Sequence, residues 1–203
     1  RIKEIQQVAK KNNIEVVTQN TSFFRKTFSE LNHQGVGIIC NKRLEENENF
    51  LENLIEKDNL LLLILEHITD PQNVGACIRS AAAAGVDAVI VPKNRSCHLT
   101  PTVRKISSGG AELIPFVVVT NIVRTINKLK DAGVVIYGTN MEASKSYNDV
   151  TYSDKSALII GSEDKGMKRL TAESCDEIIK INMPGRIESL NASVSTGIML
   201  FEM

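Results

Sequence analysis

From residue 60 onward the chain alternates short apolar runs with longer amphipathic stretches, and this alternation restricts the fold more than any other feature. The runs lie at 60–65, 88–91, 116–119, 134–137, 157–160 and 177–181. Each has the length of a strand buried on both faces and is too short for a buried helix. Helical segments fall between them at 73–84, 102–108, 121–132 and roughly 167–175, and a last one starts near residue 190. Gly85 and Gly133 supply C-terminal stops for two of these helices. Strands and helices in strict alternation pack as an α/β fold, here a mostly parallel open sheet with helices on its faces. Ligands in such folds gather beyond the carboxyl ends of the strands.

The first 59 residues read differently. Ile2, Ile5, Val8 and Ala9 recur at helical spacing, 14–17 reads as a strand, and Phe23, Phe24, Phe28 and Leu31 mark a second helix before a strand at 36–40. A helix at residue 1 with no capping residue before it suggests the end of a small α/β unit whose beginning is missing. An apolar helix running to Met203 likewise suggests residues beyond it. The expected organisation is therefore a remnant domain over 1–40, a linker with a connector helix over 41–59 (Phe50, Leu51, Leu54 and Ile55), and a main domain over 60–203.

Charge bounds the partners. Lys and Arg total 24 and Asp and Glu total 24, which argues against indiscriminate nucleic-acid binding while leaving room for a local basic patch. Lys93, Arg95, Arg104 and Lys105 are candidates for such a patch, each with an alternative reading as an ordinary solvated side chain. Cys40, Cys77, Cys97 and Cys175 have no C-x-x-C spacing, so buried reduced thiols are expected rather than a zinc site. No run is long enough to span a bilayer and the first residues lack the apolar core of a signal peptide, so no membrane partner and a cytoplasmic location are expected. Three matches to the glycosylation pattern, at Asn20, Asn94 and Asn191, are then coincidental.

The strand ends carry the chemistry. After the first run comes Glu66-His-Ile-Thr-Asp-Pro-Gln-Asn-Val-Gly-Ala-Cys-Ile-Arg79, with Asp70 and Pro71 suited to a helix entrance. Asn73 and Arg79 stand about one and two-thirds turns apart and need not share a face, although a bound phosphate or carboxylate could draw Arg79 toward the entrance. The plainer reading is a capping turn with a surface arginine. After the fourth run come Gly138-Thr-Asn-Met, and after the fifth Gly161-Ser-Glu-Asp-Lys-Gly166. Two glycines around a short acidic loop permit close backbone approach to a ligand. The loop matches neither phosphate-binding fingerprint, and Glu163 argues against a bare phosphate there. After the sixth run, residues 182–203 combine a Pro-Gly turn with Ser189, Asn191, Ser193 and Ser195 at the entrance of an apolar helix. A cluster of N-caps accounts for part of that polarity, and a ligand accounts for the whole. His33, His67 and His98 are too scattered for a local motif, and packing is the reading for His67.

Taken together, the three loops resemble the SpoU branch of the knotted SPOUT methyltransferases. The first motif stands as Asn73-Val-Gly-Ala-Cys-Ile-Arg79, the second as Gly161-Ser-Glu-Asp-Lys-Gly166, and the third as Ile181-Asn-Met-Pro-Gly185 followed by Ser189-Leu-Asn-Ala-Ser-Val-Ser195. The wording at Asp70-Pro-Gln-Asn73, His98-Leu-Thr100 and Ser107-Ser-Gly-Gly-Ala-Glu112 is similar to the branch that methylates a guanosine of 23S ribosomal RNA, and residues 1–40 resemble the end of its N-terminal RNA-binding domain. The resemblance implies a C-terminal deep trefoil knot, which no periodicity argument would propose. It implies S-adenosylmethionine as cofactor, an RNA substrate, a homodimer, and methyl transfer to a ribose 2′-hydroxyl. It nominates Arg79, Asn73, Glu163 and Asn191 for the reacting centre. For the cofactor it nominates Gly161, Ile181 and Leu190, with Thr139, Met183 and Ser195 nearby.

The methyl donor is already activated, so the reaction implied needs no metal. A free guanidinium has a pKa above about 12 and stays charged, so the role assigned to arginine is positioning a phosphate and stabilising negative charge, with a role as base only if the site perturbs it. Transfer RNA is the alternative substrate. A non-catalytic RNA-binding or ribosome-assembly module on the same fold is the alternative of another class, and a generic nucleotide enzyme is disfavoured by the missing phosphate loops. A chain of this extent is expected to take the cofactor yet methylate RNA poorly.

Overall fold

The computed structural model describes residues 2–28, 34–38 and 43–203. They fall into two compact units, one over residues 1–41 and one over 42–203.

The first unit holds α1 (Ile2–Lys11) and α2 (Thr21–Thr27). Asn20 caps α2 by accepting the Phe23 amide at 2.9 Å, and the rings of Phe24 and Phe28 stack 5.6 Å apart. The strand expected at 14–17 is absent. Those residues are exposed and pair with no strand among the described residues, so their apolar character has no sheet to join. Residues 36–38 are not a strand either, and Leu31, His33, Ile39 and Cys40 lie outside the described residues.

The second unit runs β1 (Glu46–Asn47), α3 (Phe50–Leu54), β2 (Leu60–Leu65), α4 (Pro71–Ala84), β3 (Ala88–Pro92), α5 (Pro101–Ile106), α6 (Gly110–Leu113), β4 (Phe116–Val119), α7 (Ile122–Asp131), β5 (Val135–Thr139), β6 (Lys145–Ser146), β7 (Lys155–Ile160), α8 (Arg169–Ser174), β8 (Glu177–Lys180) and α9 (Ala192–Leu200). All the strands pair in parallel, in the order β1-β4-β3-β2-β7-β5-β8-β6. The segment expected as a linker therefore adds an edge strand to the sheet, and Leu51 and Leu54 of α3 enter the core.

Strand β2 explains the architecture in miniature. Alternate side chains point to opposite faces. Leu63 and Leu65 pack under α4, α5 and α9, whereas Leu60, Leu62 and Ile64 pack under α3 and α7. Both faces are covered, so the sequence shows an unbroken apolar run rather than an alternation. The helices begin where polar caps allow. Asp70 accepts the Gln72 amide at 3.0 Å, Thr100 that of Val103 at 3.2 Å, and Asn121 that of Arg124 at 3.0 Å. Gly85 and Gly133 take the left-handed conformation at the stops expected for them.

The chain first steps outward from β2 to β3 to β4 and then crosses the sheet to β5. β7 returns into the gap between β2 and β5, and β8 is added outside β5. This interleaving sets the carboxyl ends of β2, β7, β5 and β8 side by side. Among the described residues no helix is long and apolar enough to cross a membrane.

Candidate functional site

Three loops leave those adjacent strand ends, and one chain of hydrogen bonds joins them. The Asn73 amide nitrogen donates to a carboxylate oxygen of Glu163, 90 residues away. The Asn191 amide nitrogen donates at 2.8 Å to the Asn73 carbonyl oxygen, 118 residues away. The Asn191 oxygen in turn accepts the Ser193 amide at 2.9 Å and the Ser193 hydroxyl at 2.6 Å, which caps α9. Every donor points the same way, from α9 through Asn191 and Asn73 to the Glu163 carboxylate, so the bonds polarise one another. An asparagine suits the middle position because it must accept on one side and donate on the other.

Glycines let the loops approach. A Cβ on Gly161 would sit 2.6 Å from the Gly166 carbonyl oxygen and nearer still to the Gly166 carbonyl carbon and Met167 nitrogen. The 162–166 turn therefore folds directly over Gly161, closed by paired Ser162–Gly166 backbone bonds of 3.2 and 2.8 Å. Gly75, in the first motif, has a different reason: its Cβ would meet the Ile106 side chain at 2.7 Å where α4 crosses α5.

Beyond the end of β8, residues 180–185, 187 and 188 line a cleft of about 560 Å³ together with residues 141 and 142, inside the ~300–1,000 Å³ range of small-molecule sites. Ile181 and Met183 line it, as expected, together with Met141, Glu142, Ile187 and Glu188, which sequence reasoning did not nominate. Met141 is 62% and Ile187 73% exposed, so the cleft carries apolar walls open to solvent. Which apolar side chains stay exposed is decided only by the fold, and neither residue stands out from its neighbours in the sequence.

The remaining nominated residues are more dispersed. Thr139 belongs to β5 rather than to the loop after it, and its hydroxyl donates to the Ile159 carbonyl at 3.0 Å. Leu190 is exposed and Ser195 half-buried on α9, and neither lines the cleft. Arg79 is exposed on α4, and its side chain makes no hydrogen bond or ion pair among the described residues, with Asn73 or any other. Of the basic candidates, Arg104 is consumed by Glu112 and by the Arg43 carbonyl. Lys93, Arg95 and Lys105 form no ion pair among the described residues.

Cys77 is no nucleophile. Burial pushes its thiol up to about 12, with the Glu163 charge adding and the Thr196 hydrogen bond opposing. His67 is held in a left-handed backbone conformation, with Nδ1 3.2 Å from the Arg95 carbonyl.

The comparisons with known proteins converge on one family. Residues 60–201 match the SpoU rRNA Methylase family. The chain is 45% identical over 204 residues to the 23S rRNA (guanosine-2′-O-)-methyltransferase RlmB of Xanthomonas campestris, covering 100% of this chain and 82% of that protein. Its fold is similar to an AdoMet-bound rRNA methyltransferase from Sinorhizobium meliloti, with a TM-score of 0.79, 27% identity, and coverage of 90% of this chain and 69% of that one. It is also similar to the SpoU methyltransferase AviRb from Streptomyces viridochromogenes in complex with AdoMet, with a TM-score of 0.68, 26% identity, and coverage of 75% and 62%. The match thus spans about three-fifths of AviRb.

Proposed function

We infer what this chain does from one premise: it belongs to the SpoU rRNA methylase family. It transfers a methyl group from S-adenosylmethionine to a ribose 2′-hydroxyl of RNA. The target we propose is a guanosine of 23S ribosomal RNA, supported by the 45% identity to an enzyme of that specificity. The single observation within the fold that supports this reading is the relay from Asn191 through Asn73 to Glu163, which ties all three motif loops together.

The residues present fit the cofactor. Met141, Ile181, Met183 and Ile187 offer an apolar slot suited to an adenine ring, and Glu142 and Glu188 supply acceptors for hydroxyl or amino groups. The backbone amides between residues 182 and 190 have no acceptor among the described residues, leaving donors for ring nitrogens or a carboxylate. When bound, S-adenosylmethionine supplies a methyl group already activated by its sulfonium centre.

The chain's own residues do the rest. Arg79, with five donors and a permanent charge, holds an RNA phosphate and offsets negative charge developing on the 2′-oxygen. Glu163 and Asn191, oriented by Asn73, fix the loops against which the ribose lies, so the rate comes largely from in-line placement. Gly161, Ile181, Met183 and Leu190 would hold the cofactor through backbone and apolar contacts, with Thr139 and Ser195 close by. We further propose that residues 161–203 form the family's trefoil knot, that residues 1–40 are the end of an RNA-binding domain, and that the protein works as a homodimer.

Calorimetric titration with S-adenosylmethionine, followed by mapping of methylated riboses in 23S ribosomal and transfer RNA, tests the reading. Uptake of the cofactor and one methylated guanosine in 23S RNA are expected. Methylation of transfer RNA alone would move the substrate, and no uptake would leave an RNA-binding module. Arg79→Ala should keep cofactor binding, weaken RNA binding by the loss of one phosphate contact and lose transfer; full activity in that variant would sink the role given to Arg79.

A further inference from the structure

We propose that Glu66 is a positioning residue for methyl transfer: its buried carboxylate, at the end of β2, holds the exit of the 161–167 loop and sets where Gly161 and Glu163 stand. The proposal rests on the methyltransferase reading above, because it names what holds that site's second loop in place.

Glu66 is 1% exposed. A buried carboxylate is expensive unless its oxygens are satisfied, and here the first turn of α8, where the loop ends, satisfies both. Oε2 accepts the Lys168 backbone amide at 2.9 Å, and Oε1 accepts the Thr171 hydroxyl at 2.6 Å, partners 102 and 105 residues away. The Glu66 amide donates to the Ile160 carbonyl at 2.8 Å. Ile160 is the last residue before the loop and Lys168 the first after it, so one residue of the neighbouring strand grips both ends.

The grip is needed because the loop has little else. Lys168 occupies the cap position of α8 and makes no side-chain cap hydrogen bond. A lysine has no acceptor to offer the first-turn amides, and Glu66 instead accepts the cap residue's own amide, as the acid of a capping box does. Between the ends, residues 163–166 are exposed, held by the Ser162–Gly166 turn and by the Glu163 bond to Asn73. Where the ends go, Glu163 and the surface over Gly161 follow. No other part of the described site fixes the exit of this loop by a buried charge.

The chemistry makes the role separable from bulk stability. A glutamine at 66 can still accept from Lys168, and its NH₂ can donate to a rotated Thr171 hydroxyl, so both bonds survive without the charge. An alanine removes both and leaves the buried Thr171 hydroxyl and the partly buried Lys168 amide unpaired. Glu66→Ala is expected to weaken S-adenosylmethionine binding about 10- to 100-fold and lower kcat by a similar factor, as a displacement of about 1 Å does. The KM for RNA should stay within about twofold, since the Glu66 carboxylate makes no bond to Lys93, Arg95 or Lys105 among the described residues. Amide hydrogen exchange at Ser162 and Gly166 should quicken in the cofactor-free protein. Glu66→Gln should restore all of these to within about threefold.

The experiment measures exchange, cofactor affinity and steady-state kinetics on the full chain and these two variants, at a temperature where circular dichroism shows each folded. Unchanged exchange and affinity in Glu66→Ala would overturn the proposal, as would equal damage from Ala and Gln. Should Glu66→Ala not fold, Thr171→Val removes one bond at constant shape, and it should shift exchange and affinity in the same direction by about 3- to 10-fold; no shift overturns the proposal. Failure of the functional reading would show separately, as a wild-type chain that takes up no cofactor.

Discussion

Replacing Gly161 by alanine tests the geometry of the second loop most directly. The added methyl would lie 2.6 Å from the Gly166 carbonyl oxygen and closer to two further backbone atoms, whereas ordinary contact begins at 3.4 Å. Backbone cannot rotate aside as a side-chain tip can, so the 162–166 turn must retreat by about 1 Å. Residues 163–166 are exposed, which gives the turn somewhere to go, and the overpacking should cost about 1–3 kcal/mol rather than prevent folding. For a chain of this size that is a drop in Tm of about 3–10 °C. Binding should suffer more, because a displacement of about 1 Å at a site can cost up to 100-fold. Scanning calorimetry and titration with S-adenosylmethionine on the same samples measure both. Gly185→Ala is the control: it has nothing within 4 Å of its would-be Cβ, so Tm should hold within about 1 °C. If the 182–190 backbone lies against the cofactor, Gly185→Ala should nonetheless weaken binding. A Gly161→Ala protein with wild-type Tm and wild-type affinity would refute the packing argument.

Asn73→Asp turns the donor facing Glu163 into an acceptor, so two carboxylates meet and kcat/KM should fall roughly 10- to 1,000-fold at pH 8. Adding Glu163→Gln restores a donor between the same atoms, and a double variant no better than the single one would show that the bond is not what matters. His98 couples stability to pH. Partial burial opposes its charge, but hydrogen bonds to Glu45 and the Lys93 carbonyl, with the Glu45 charge, outweigh this and raise it above its ordinary 6.5. A raised folded value means the stabilisation is full below 6.5 and is lost as pH climbs through the folded value. The stability gap between wild type and His98→Gln, at most about 1 kcal/mol for so exposed a pair, should therefore shrink between pH 6 and pH 8.5; parallel curves from urea melts would contradict it. Cys77, with its thiol near 12 against an ordinary 9.0, should carry roughly a thousandfold less thiolate than a free cysteine. Alkylation of the native protein at pH 8, followed by mass spectrometry, should leave it unmodified, and labelling within tenfold of a free thiol would overturn that.

Much of the scaffold was legible because its signals are local. An apolar run such as 60–65 is buried on both faces whatever its neighbours, and a cap such as Asp70 acts on an amide two residues away. The elements missed are those that borrow stability from afar. Glu46–Asn47 is a strand only because Val117 and Val118 lie alongside, and Lys145–Ser146 only because of β8. The converse error has the same cause: 14–17 has the composition of a strand and no partner among the described residues. Propensity cannot supply a missing neighbour.

The site divides along the same line. Sequence alone singled the loops out: Asn73, Glu163 and Asn191 sit at the ends of strands that periodicity locates, in segments that resemble the family's motifs. Only the tertiary structure decided that Asn73 is the link between the other two, that Arg79 bonds to none of them, and that Glu66 grips a loop end a hundred residues away. A hydrogen bond is specified over about 3 Å, while the strand order that brings β7 beside β2 is set by how the whole sheet buries both its faces. No window along the chain contains that information.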